Sequence, residues 1–69
     1  MIKTIIIEGM SCEHCEMHTK KELEKIEGVI SAEADADKGQ AVVELEKEVA
    51  EEEFKTAIEE AGYNYIKTL

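Results

Sequence analysis

Two hydrophobic periods alternate along this chain. Residues 2–8, IKTIIIE, are rich in β-branched side chains that alternate between faces, and they predict a strand with Lys3, Ile5 and Ile7 on one side and Thr4 and Ile6 on the other. Ile5 and Ile7 are the core candidates. From Met17 to Glu27 the period lengthens: Thr19, Leu23 and Ile26 fall at i, i+4, i+7 among helix formers, and Gly28 follows as a stop. This predicts an amphipathic helix opening near Cys15. Val29 to Asp37, VISAEADAD, returns to a period of two and reads as a half-buried strand with Ala32, Ala34 and Ala36 inward, although alanine and aspartate are poor strand formers. DKGQ then turns into AVVELE, where Ala41, Val43 and Leu45 alternate inward, so the pair predicts a β-hairpin. Phe54, Ala57, Ile58 and Ala61 share one helical face behind a first turn of Glu51, Glu52 and Glu53, where the helix dipole favours negative charge, and Gly62 closes that helix. The tail YNYIKTL has the aromatic and β-branched content of a last strand.

The resulting order, βαββαβ, is a split βαβ arrangement: an α+β fold with a four-stranded antiparallel sheet carrying both helices on one face. With 69 residues and no linker, repeat or low-complexity segment, the expectation is one domain over residues 1–69. A domain of this size buries only about 60% of the surface its unfolded chain exposes, so the core is small.

Charge and composition narrow the partners. Seventeen acidic residues against eight lysines leave a net charge of −9, which argues against a nucleic-acid backbone or an anionic membrane surface and favours a cation or a basic protein face. The glutamates from Glu44 to Glu60 read first as a solvated face and second as a docking surface. The longest bulky apolar run, Ile5 to Ile7, is far shorter than a bilayer span, and Met1 leads directly into a strand, so no membrane insertion and a cytoplasmic location are expected.

The chemistry concentrates in residues 9–15, GMSCEHC, which hold both cysteines of the chain. C-x-x-C in a small chain without a secretion signal points to metal binding or catalysis rather than a structural disulfide. The thiolate is the ligand or nucleophile, and the dipole and free N–H groups of a helix N-terminus favour it at Cys15, with Cys12 in the loop before. Two soft thiolates select Cu(I), Zn(II) or Cd(II), whereas calcium and magnesium need several oxygens. A structural zinc site needs four ligands, so Cys12 and Cys15 alone suit a low-coordinate ion; Glu13 and Glu16, or His14 and His18, are the groups that would complete a tetrahedral Zn(II) site. Two rival readings are buried packing cysteines, for which a polar loop is a poor place, and a thioredoxin-like dithiol, for which the W-C-G-P-C-type setting is missing. Met10 fits a packing position at the strand end, Met17 the helix surface, His14 and His18 solvent, and Tyr63 a partly buried site with its hydroxyl at water.

GMSCEHC resembles the GMxCxxC loop of heavy-metal-associated domains. The likeness extends over nearly the whole chain through the IxIEGM-like first strand, Gly28–Val29, the hairpin Gly39 and the Ala61–Gly62–Tyr63 stretch, and is closest to the small bacterial copper chaperones of that family. It implies a ferredoxin-like fold in which Cys12 and Cys15 bind Cu(I) near the surface, Met10 supports the loop from below and Tyr63 lies just beyond the ligands. His14 and His18 remain candidate accessory ligands. The chain departs from the family at Glu16 and Thr19, where apolar residues are usual, and in having His18. The implied function is a cytoplasmic carrier, not an enzyme, that passes Cu(I) to a copper-transporting P-type ATPase by stepwise thiolate exchange. The alternatives are a metal-binding domain of a longer transporter, which the start at Met1 and end at Leu69 disfavour, and a carrier of zinc, cadmium or mercury. A homodimer bridged by metal through two thiolate pairs is also compatible with the loop.

Overall fold

The β-branched run at the start forms β1, Ile2–Glu8, and a second such strand lies on each side of it. The computed structural model describes residues 1–10 and 13–69, with Glu13 described by its backbone alone. The remaining elements are α1 (Glu13–Glu24), β2 (Val29–Asp35), β3 (Gln40–Leu45), α2 (Glu51–Glu60) and β4 (Asn64–Thr68). The strands form one sheet in the order β2-β3-β1-β4, every neighbouring pair antiparallel. This is the ferredoxin-like α+β arrangement that the alternation of periods predicts.

The core lies between the sheet and the two helices. Ile5 and Ile7 from β1, Ala32 from β2, and Ala41, Val43 and Leu45 from β3 meet Leu23 from α1 and Phe54, Ala57 and Ile58 from α2, all buried. Ala34 and Ala36, expected inward with Ala32, are only partly covered, at the hairpin end of an edge strand.

Two boundaries and two strand registers differ from the periodic reading. Helix α1 opens at Glu13, near Cys15 as expected, but ends at Glu24 rather than Glu27; Ile26 reaches the core from tight turns, with Ile26 N–H donating to Leu23 O at 3.1 Å and Val29 N–H to Ile26 O at 3.1 Å. Strand β2 stops at Asp35 because Asp35 Oδ1 accepts from Lys38 N–H and Ala36 O from Gly39 N–H, which folds the chain into the hairpin. Register shifts between Val29 and Ser31 and between Ile6 and Ile7 insert one extra residue each, and these bulges leave Ile30 and Ile66 exposed.

Helix α2 ends in a Schellman motif. Gly62, with φ of +95°, lets Tyr63 N–H donate to Ile58 O at 3.1 Å while its own N–H donates to Glu59 O at 3.0 Å. The motif turns the chain sharply and delivers Tyr63 beside the end of β1. Among the described residues, no helix is long and apolar enough to cross a membrane.

Candidate metal site

Gly9 and Met10 follow the end of β1, and His14 and Cys15 lie in the first turn of α1. Cys12 lies outside the described residues. Cys15 sits in the first turn of α1, half-buried and packed against the core cluster. It starts a line at i, i+4, i+8 that continues inward through Thr19 and Leu23, both fully buried. The second thiol therefore rests on the core, near the positive end of the helix dipole.

Met10 is buried as the loop resemblance implies, and its sulfur is held. The Thr19 hydroxyl, 0% exposed, donates to Met10 Sδ at 3.4 Å. This contact resolves the apparent misfit of a polar residue on the core face of α1: the hydroxyl has a partner, so its burial carries no unsatisfied donor. It also ties the residue that enters the cysteine loop to the helix that leaves it.

Tyr63 lies beside Gly9, just past the end of β1. It is half-buried against the core and stacks its ring edge near Gly9, where an added Cβ would lie 3.6 Å from Tyr63 Cδ1. That spacing is ordinary contact; glycine is required at position 9 by its φ of +107°, which side-chain-bearing residues rarely adopt.

Glu16 is engaged with the sheet edge. Its Oε2 accepts from Ala36 N–H at 2.6 Å, reaching from the first turn of α1 to the β2–β3 hairpin. One turn later Lys20 Nζ donates to Ala32 O at 3.1 Å and pairs with Glu24 at 3.2 Å. The two side chains, spaced i, i+4, thus satisfy backbone groups along the outer edge of β2 and fasten α1 to it.

His14 and His18 are both exposed, on the side of α1 away from Cys15, Thr19 and Leu23. Among the described residues, no three His, Cys, Asp or Glu side chains converge to hold a metal ion, so His14, Cys15, Glu16 and His18 are not gathered into a tetrahedral site. The contacts of Glu16 and Lys20 with β2 and its hairpin escaped the sequence reading because their partners there, Ala36 N–H and Ala32 O, are backbone groups distant in the chain. The one visible signal is the i, i+4 spacing of Glu16 and Lys20 flanking the buried line.

Comparison with known proteins agrees with this geometry. Residues 4–64 match the family described as heavy-metal-associated domain. A copper chaperone CopZ of Staphylococcus haemolyticus is 48% identical over 63 residues, covering 90% of this chain and 93% of its own. Among solved structures, a CopZ metallochaperone superposes with a TM-score of 0.87 at 36% identity, over 96% of this chain and 100% of its own. The copper binding domain from HMA7, a P-type ATPase, has a TM-score of 0.87 at 30% identity, over 100% of this chain and 95% of its own.

Proposed function

The chain belongs to the heavy-metal-associated domain family, and from that premise we propose that it is a copper carrier which binds one Cu(I) through Cys12 and Cys15. Its recipient is the metal-binding domain of a copper-transporting P-type ATPase, which offers a similar thiolate pair. The observation that carries this reading is the setting of Cys15: a half-buried thiol in the first turn of a helix, backed by a core residue whose hydroxyl braces the loop entrance. Support also comes from the likeness to copper chaperones and to the copper binding domain of an ATPase.

Each residue then has a part. Cys12 and Cys15 supply two thiolates to a soft monovalent ion, leaving it low-coordinate and open to attack. Met10 supports the loop instead of ligating, its sulfur being engaged by Thr19. Tyr63 packs behind Gly9 and limits water access from that side. No catalysis is needed. A thiolate of the recipient adds to the copper, one carrier thiolate leaves, and a second exchange completes the move; copper stays Cu(I) throughout. The acidic surface orients a basic partner over the roughly 8 Å range that charges reach at physiological salt, which suits a transient encounter in the cytoplasm.

The test is an anaerobic competition titration of Cu(I) followed by mixing of the loaded chain with an isolated ATPase metal-binding domain. Cys12→Ser and Cys15→Ser should each abolish tight binding and transfer while leaving the fold intact. Tight binding that survives either substitution would refute the two-thiolate site.

A further inference from the structure

Two good metal ligands lie outside the proposed two-thiolate site. His14 and His18 lie one turn apart on α1, both exposed, and neither makes a hydrogen bond or ion pair among the described residues. The neighbouring contacts explain why they are left outward: Cys15, Thr19 and Leu23 occupy the core face, and Glu16 and Lys20 are committed to the edge of β2. Met17, exposed on the same turn, carries no charge.

We propose that His14 and His18 form a second metal site, a helical imidazole pair that chelates a borderline divalent ion of the Zn(II), Ni(II) or Cu(II) class independently of the thiolates. Residues at i and i+4 of a helix have Cβ atoms about 5–6 Å apart, and side chains lean toward the helix N-terminus, so the His18 ring reaches over the turn that carries His14. Two imidazole nitrogens at about 2.0–2.1 Å from one ion close that gap without moving the backbone, which is how paired histidines one turn apart hold zinc in helices. Water fills the remaining positions, since no third protein ligand among the described residues converges there. A net charge of −9 raises the local concentration of any divalent cation.

Ligand softness separates the two sites. The thiolate pair prefers Cu(I), while imidazole suits the divalent ions, so the two sites sort ions by class. A carrier built this way senses or holds a divalent ion without giving up its copper loop.

The test uses the untagged full chain with its thiolates occupied by Cu(I), titrated anaerobically with Zn(II), and in parallel the Cys12→Ser/Cys15→Ser chain titrated with Zn(II) alone. Saturable binding of one Zn(II) is expected in both. His14→Ala or His18→Ala should weaken it by at least about tenfold, because the second imidazole closes intramolecularly at a high effective concentration. Cu(I) affinity should be unchanged by either histidine substitution. Absence of saturable Zn(II) binding, or binding indifferent to both histidine substitutions and therefore held by carboxylates, overturns the imidazole site. Loss of Cu(I) binding on Cys12→Ser concerns the copper site alone, so the two proposals fail separately.

Discussion

The two helices cover the same sheet with different materials. Helix α2 presents Phe54, Ala57 and Ile58, all buried and all apolar, and fills the core in the manner of an ordinary amphipathic helix. Helix α1 presents Cys15, Thr19 and Leu23, of which only Leu23 is a large hydrocarbon. Where α2 adheres by area, α1 adds directed contacts: Thr19 to Met10, Glu16 to Ala36 N–H and Lys20 to Ala32 O. Burial resists separation but tolerates small sliding, whereas hydrogen bonds fix angle and register. The helix that carries Cys15 is therefore the one held by directed contacts, and α2 supplies the packing.

The comparison is broken most severely through α2. Phe54→Ala should cost about 3–5 kcal/mol through lost transfer energy and the cavity left behind, read as a fall in the urea midpoint. Leu23→Ala, the nearest equivalent on α1, should cost about 2–5 kcal/mol. A Leu23 loss exceeding that of Phe54 would reverse the division of labour between the helices. Next in size is Glu16→Ala, which leaves the partly buried Ala36 N–H without its charged acceptor and should cost about 1–3 kcal/mol. Hydrogen exchange at the Ala36 amide should accelerate in that variant. Glu16→Gln should recover most of the protection, because an amide oxygen can still accept; equal loss in both variants would mean that the charge, not the tether, matters. The smallest effect on stability belongs to Thr19→Val, within about 1 kcal/mol, because it removes a donor whose acceptor is a weakly bonding thioether. Its signature is a shift of the Met10 methyl resonance with an unchanged urea midpoint. Unchanged Met10 resonances would remove the brace from the account.

How far the sequence could be read depended on which force shapes each part. Strand β1, strand β3 and the inner face of α2 were legible because burial imposes a period, and Ile5, Ile7, Ala41, Val43, Leu45, Phe54 and Ile58 follow it. The opening of α1 near Cys15 was legible, whereas its end was not: the period placed Ile26 on the helix, and Ile26 instead reaches the core from the turns that follow Glu24. Ile30 and Ile66 are exposed because bulges break the period of two, and a bulge has no reliable mark in a run of strand formers. At the site, Met10 under the loop and Tyr63 beside it could be anticipated from the family pattern. The partners of Glu16 and Lys20 could not, since they are backbone groups without sequence identity.

The proposed copper site consists of the two loop thiolates, without an imidazole. X-ray absorption at the copper edge of the chain loaded with one Cu(I) under anaerobic conditions tests it most directly. The account predicts a shell of two sulfur neighbours, unchanged in the His14→Ala and His18→Ala chains. A shell containing nitrogen or oxygen that disappears with either histidine would contradict it.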